Sequence, residues 1–574
     1  NKNKQSPILY LFEISNKDLQ SKRERKGAKN IHTLYFERLF SPGSKGALDL
    51  LGGAEVFFRR PFEKERLPVT TLKNQRIIAH ATRLGRYTTG KYLFHLPIGI
   101  NTAAGKPKSF NQKLNSLLKQ KGEAVNIIGI DRGEKHLAYY SVINQEGNIL
   151  DSGSLNTIEQ KTQGGVLVVD YYTKLRTLEK ERLINRQSWE SVVKIKDLKK
   201  GYIAAVVRKI CDLAIEHNAI IVLENLNMRF KQVRGGIERS TYQQLEKQLI
   251  DKLGYLVFKD RGSDEIGGAL NGYQLTAPFE SFQKLTNQTG IIFYTQAAYT
   301  SVTDPLTGFR KTFSLKSSWS QKKILDNILK FQSFGWDDAK KSYCFAYDQA
   351  DFSGEKKRKS SNTLSKKWTV YAKVPRIRRE LRDGYWHTDQ VNPNILLEEL
   401  FRLWEFDNVQ GDILDQIQER TSQKLLGGER PFMGKSRSFF SALAYIIDGL
   451  ILQLRNSASK QSVKNKEGNY EEVGADIDFI ASPVEPFFTT IAAGYVDQSR
   501  LSEFEKRYRG EITKKKIFLS TFNGDANGAY NIARKGVIIL KERISKNSDK
   551  PDLYIGNEDW DQFVQKQYED ERKK

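Results

Sequence analysis

Cysteine is nearly missing: the 574 residues include only Cys211 and Cys344, far apart in the chain. That excludes a disulfide framework and a cysteine zinc knuckle, and it points to a reducing compartment. Long apolar runs are missing too. No stretch approaches the ~20 residues needed to cross a bilayer, and no signal-peptide pattern opens the chain. A soluble protein of the cell interior with no membrane partner is expected. There are no internal repeats or low-complexity tracts. The first residue is Asn1 rather than Met, so a piece of a longer protein is expected.

Positive charge is in excess. Lys and Arg number 93 against 68 Asp and Glu, a formal charge of +25, and the cations are scattered along the chain rather than gathered in a tail. Solubility alone is one explanation. A polyanion is the other, because cations spread over folded surfaces line a groove for phosphates and release their counterions. Nucleic acid is therefore the expected partner. The 31 Phe, 25 Tyr and 7 Trp supply core and, on some surfaces, platforms for bases.

At this length several domains are expected. Residues 1–97 read as a basic β platform, from the runs ILYLFEI, HTLYFERLF, AEVFFRR and KYLFHLPIGI. From Asn126 the pattern is an antiparallel meander: NIIGID, HLAYYSVI, the turn NQEGN, then ILDSGSL. A polar, helix-favouring segment follows, with Trp189 as its one large anchor. Ile203, Val207, Ile210 and Ala214 then share a helix face, and IIVLEN is a buried strand ending in Glu224. A second helix carries Tyr242, Leu245, Leu249 and Leu253, and YLVFKD returns as a strand. Residues 296–520 break this alternation and read as an insert. Its basic runs EKKRKSS and KVPRIRRELR are solvated surface or nucleic-acid contacts. Last, TFNGDANGAYNIARKGVIIL is a helix with Asp525 near its start and small residues that allow close packing on a sheet.

Asp131, Glu224 and Asp525 lie 93 and then 301 residues apart, yet each ends a core strand or begins a packed helix. Each admits a plain role: Asp131 a turn, Glu224 a strand-end charge, Asp525 a helix cap with Asn527 as a turn residue. Together they make a different site. Clustered carboxylates repel unless divalent cations neutralise them, and hard oxygen ligands suit Mg²⁺ or Mn²⁺. Two such ions about 4 Å apart clamp a scissile phosphate, one activating water and the other steadying the departing 3′ oxygen. A meander followed by helix, carboxylate-ending strand and helix is the RNase H arrangement, an α/β fold whose nucleases use this chemistry.

Seven collinear blocks carry a closer resemblance: GIDRGEKHLAYY, IVLENLNMRF, YQQLEKQLIDKLGYLVFKD, GGALNGYQLTAPF, DPLTGF, LQLRNS and GDANGAYNIARKG. In order, over nearly the whole chain, they resemble the carboxy-terminal half of the type V-A CRISPR effector nucleases, the Cas-twelve-a (Cpf-one) family. The resemblance implies an RNase H-like (RuvC) nuclease core split by insertions, with a β-rich wedge segment before it and an α+β Nuc insert. The implied divisions are the wedge segment at 1–97, RuvC-like segments at 98–160, 191–295 and 521–574, a bridge helix region at 161–190 and the Nuc domain at 296–520. Asp131, Glu224 and Asp525 become catalytic metal ligands for two Mg²⁺ or Mn²⁺ ions. Arg455 and Asp478 match positions needed for cleavage or strand guiding, and Trp189 matches the anchor of the bridge helix.

The implied function is CRISPR RNA-guided DNA cutting in a prokaryotic cytoplasm, as antiviral defence. The implied partners are a guide CRISPR RNA, target and non-target DNA strands, and an amino-terminal recognition lobe with a PAM-interacting domain. Two departures stand out. The wedge segment is shortened where relatives process their guide precursor: Arg83 falls at the second of two lysines, and His80 does not align with the histidine. Gly524 stands where many relatives carry an additional aspartate. Two other readings remain: a transposon-encoded relative, against which the absence of paired cysteines in the insert counts, and a catalytically silent RNA- and DNA-binding scaffold.

Overall fold

Asn126–Asp131 carries three β-branched residues, Ile127, Ile128 and Ile130, around one glycine, and it forms the strand (β1) around which the main sheet is built. The computed structural model describes residues 31–40, 48–59, 90–100, 105–132, 138–162, 165–170, 193–225, 239–258, 260–284, 287–297, 299–300, 303–304, 307–352, 366–373, 376–382, 385–406, 412–451, 461–464, 470–473, 479–481, 483–484, 519–521, 524–545 and 552–573. The chain divides into two units: Asn1–Gly105 with Leu253–Leu275, and Lys106–Lys252 with Thr276–Lys574.

In the first unit Glu55–Arg59 pairs with Lys91–His95, strands the sequence suggests, while Ile98–Ile100 of the same run pairs separately with Leu48–Leu50, a strand not read from the sequence. The run HTLYFERLF departs from expectation: Ile31–Phe40 is an α-helix. Its Thr, Tyr and Phe favour strands locally, but packing overrides propensity. Thr33 and Tyr35 are buried, Tyr35 in a small core with Val257 and Ala269, and Phe36 and Phe40 touch one turn apart at 4.9 Å. YLVFKD also departs, because Leu256 makes only an isolated bridge to Tyr273. ILYLFEI lies outside the described residues.

In the second unit β1 continues into β2 (Tyr139–Ile143) and β3 (Ile149–Ser154), an antiparallel meander. A hairpin of Thr157–Thr162 and Gly165–Asp170 follows, so the opening of the region expected to be bridge helix is strand. Helix α1 (Val193–Glu216) leads into β4 (Ala219–Asn225), and helix α2 (Arg239–Gly254) precedes β5 (Ile292–Gln296). The sheet order is β5-β4-β1-β2-β3, with β4 parallel to both β1 and β5. An antiparallel meander continued by two parallel strands in this order is the RNase H-like α/β fold. Ile203, Val207, Ile210 and Ala214 of α1 are buried, as are Tyr242, Leu245, Leu249 and Leu253 of α2.

Helix α3 (Gly524–Ile538) covers one face of the sheet, and helix α4 (Asn557–Lys573) adds Trp560 and Val564 to the same core. The contact of α3 with β1 is main chain against main chain. A β-carbon on Gly129 would stand 2.8 Å from Ala533 Cα, and one on Gly536 would stand 2.8 Å from Val222 Cγ2. Glycine inside a helix costs about 1 kcal/mol against alanine. Here it permits an approach that a side chain would block.

Between β5 and α3 the chain builds a second core. Strands Phe331–Asp337, Ser342–Asp348 and Lys367–Tyr371 form a sheet, packed with helices that include Pro393–Leu403, Ile413–Ser422 and Phe439–Leu450. In the run KVPRIRRELR, read as solvated surface or nucleic-acid contact, Arg376 is 1% exposed and so is not solvated surface. EKKRKSS lies outside the described residues. Cys211 is buried and Cys344 half-buried, and both are free thiols. Among the described residues no helix is long and apolar enough to cross a membrane.

Candidate active site

Strands β1 and β4 run side by side with Ile130 opposite Leu223. One residue further along each strand stand Asp131 and Glu224, both 6% exposed. Strand side chains alternate between faces. Ile127 and Val222 meet Gly536 of α3, and Gly129 meets its main chain. Two residues on in each strand, Asp131 and Glu224 therefore face the same helix. Gly528 fits this geometry, because a β-carbon there would overlap the Asp131 carboxylate. Residue 525 is the second of α3, one helical turn before Gly528 and at the same end of the sheet. Its side chain lies outside the described residues.

Glu224 has a specific environment. Burial raises its pKa above the ordinary carboxylate value, opposed by the Thr300 hydroxyl that donates to Oε1 and by the nearby charges of Lys535 and Arg132. Burial likewise lowers the Lys535 ammonium to about 8, while Glu224 pulls it back up. Lys535 Nζ donates to the Gln296 carbonyl at 2.7 Å, at the end of β5.

Thr300 is held by α3. Asn531 Nδ2 donates to the carbonyls of Thr300 at 2.8 Å and Thr303 at 3.0 Å, and Asn527 Nδ2 donates to Thr303 at 3.0 Å. Both asparagines are fully buried. Asn527 is thus an anchor inside the helix, not the turn residue expected from its position after Asp525. Beside Thr300, Tyr299 takes a left-handed φ of 64°, a conformation costing roughly 1 kcal/mol for a residue with a β-carbon. The Arg310 guanidinium sits 4.0 Å from its ring centroid and binds Asp561 of α4 through two bonds of 2.9 and 3.0 Å.

The structure brings Asp131 and Glu224 together and sets the backbone of residue 525 nearby. Arg455, Asp478, Trp189 and Arg83 lie outside the described residues. Thr300, Lys535, Asn531, Arg132 and Gly528 were not singled out from the sequence, and Asn527 was read only as a turn residue. One signal was available: Lys535 is a cation in a stripe of small and apolar residues, two turns after Gly528 on the same helix face.

Among the described residues no three His, Cys, Asp or Glu side chains gather into a metal cluster. The two described carboxylates still suit a hard divalent cation: they offer oxygen donors only, and the charge that burial disfavours on Glu224 is the charge a cation would stabilise.

A split RNase H-like core with two carboxylates at the carboxyl ends of adjacent parallel strands defines a nuclease class of α/β domain. A family model described as the RuvC nuclease domain matches residues 104–569. The chain belongs to the RuvC nuclease family, and it is accordingly a nuclease, a hydrolase.

Proposed function

We propose that this nuclease is the cutting half of a CRISPR RNA-guided DNA endonuclease of the type V-A kind. The observation that carries the proposal is the juxtaposition of buried Asp131 and Glu224 beneath Gly528, at the end of the sheet where α3 begins. The seven collinear sequence blocks, the charge of +25 and the interruption of the core after β5 support the RNA-guided assignment.

Asp131 and Glu224, with Asp525, would hold two Mg²⁺ or Mn²⁺ ions. When bound, these ions supply activation of water and stabilisation of the departing 3′ oxygen. Thr300 orients the Glu224 carboxylate, and Lys535 balances its charge. Arg455 holds the DNA phosphate bidentately, as a guanidinium is shaped to do, and Asp478 orients it. The insert at 296–520 guides a single strand towards the site. Residues 1–97, Arg83 among them, grip the folded handle of the guide RNA, and Trp189 anchors the helix that bridges to a recognition lobe. Sequence is read by base pairing, while the protein reads backbone and shape.

The test compares the wild-type chain with Asp131→Ala, each assembled with guide RNA and complementary DNA. Divalent-dependent cutting should fall to background while RNA and DNA affinities stay within about twofold, since each lost phosphate contact would show in the salt dependence. Cutting that survives the substitution rejects the site, and a wild-type chain with no affinity for guide RNA rejects the RNA-guided assignment.

A further inference from the structure

The paired register of β1 with β4 ends at Ile130 and Leu223, just before the two carboxylates. The Ile221 N–H bonds to the Ile291 carbonyl on the β5 side. In a parallel strand successive residues turn their polar groups to opposite neighbours, so the Glu224 carbonyl faces β1, where the ladder has lapsed. A side chain takes over there. The Arg132 guanidinium donates through one nitrogen to the Glu224 carbonyl and through another to Glu246 Oε1 on α2. Tyr294 of β5 donates its hydroxyl to the other Glu246 oxygen at 3.1 Å, and the Tyr242 ring lies 5.6 Å from the guanidinium. The Arg132 and Glu246 side chains are 1% and 7% exposed.

A buried ion pair adds little net stability, because desolvation offsets the attraction, so core stability alone does not account for one at this point. Position does. Arg132 directly follows Asp131, and its bond to the Glu224 carbonyl links the two strand ends that carry the carboxylates, with Glu246 as its charged partner. We propose that Arg132 is a positioning residue: it replaces the missing main-chain bond between β1 and β4 and sets the separation of the two carboxylates, with Glu246 and Tyr294 holding it in place. The inference rests on the reading of Asp131 and Glu224 as metal ligands.

Arg132→Lys keeps the charge but not the fork that reaches carbonyl and carboxylate together. In the 574-residue chain, shown to be folded by near-ultraviolet circular dichroism, Mn²⁺ affinity read by electron paramagnetic resonance should fall roughly ten- to a hundredfold, with Mn²⁺-supported cutting of single-stranded DNA falling alongside. Glu246→Gln should give a smaller loss in the same direction. A purely structural role would lower the melting temperature and leave the Mn²⁺ affinity of the folded protein unchanged. Wild-type Mn²⁺ affinity in Arg132→Lys overturns the inference, and if that variant does not fold, Glu246→Gln decides by the same criterion. Asp131→Ala, run alongside, separates the two readings. Unchanged Mn²⁺ binding there removes the metal-site reading itself, whereas a loss confined to Asp131→Ala removes the role of Arg132 alone.

Discussion

Gly528 and Asp131 share a space that admits one of them only without a side chain: any β-carbon on α3 at this point would overlap the carboxylate. Gly528→Ala should therefore separate folding from activity. Alanine favours the helix by about 1 kcal/mol, so the variant should fold near normally. A displaced Asp131 should nevertheless cost about a hundredfold in cutting rate, the usual penalty for misplacing a reacting group by an ångström. Single-turnover cleavage with a thermal melt checks both halves. Wild-type cutting would mean that Asp131 has room to spare.

Glu224 should trade stability for activity. Its pKa is raised in the folded chain above the ordinary 4.5, so the folded state holds the proton more tightly than the unfolded one. The stability it contributes is complete below the unfolded value and declines as the pH climbs through the raised folded value. Glu224→Gln removes that decline. Without divalent ions the variant should melt a few degrees higher than wild type at about pH 8, with the gap closing towards about pH 4, and it should not cut. A melting temperature equal to wild type at both pH values would contradict this account.

Asn531→Ala should loosen the turn that presents Thr300. The buried amide holds the Thr300 and Thr303 carbonyls; Asn527 still donates to Thr303, so the loss falls on the Thr300 carbonyl and costs about 1–3 kcal/mol. The urea midpoint should drop accordingly. Cutting should slow as well, because Thr300 would no longer be fixed against Glu224.

Gly129→Ala tests the close contact of helix and sheet. The added methyl would press on the main chain of α3 near Ala533, where no side chain can rotate away. A loss of about 1–3 kcal/mol is expected from overpacking, read by chemical denaturation. Stability equal to wild type would show that α3 can lift from β1 freely.

The strands and helices of the core were legible where the pattern was strong. NIIGID and IIVLEN are apolar runs ending in carboxylates, and the face of α1 follows from the spacing of Ile203, Val207, Ile210 and Ala214. That Asp131 and Glu224 should meet was inferred from their equivalent positions. Their adjacency depends on parallel pairing between strands 93 residues apart, which no local pattern encodes. Ile31–Phe40 was misread because its residues favour strands while its packing demands a helix. Thr300 and Arg132 were missed for a related reason: what they do is set by which carbonyl or carboxylate stands opposite them, and that is known only once the elements have docked.

The helix that completes the site belongs to the last part of the chain described here, more than 200 residues after β5. On a translating ribosome, adding roughly 5–20 residues per second, the five-stranded sheet emerges well before the helix that seals it. Until α3 has been made, the surface that meets Asp131 at Gly528 is missing, so the arrangement of Asp131 and Glu224 beneath that helix cannot be assembled.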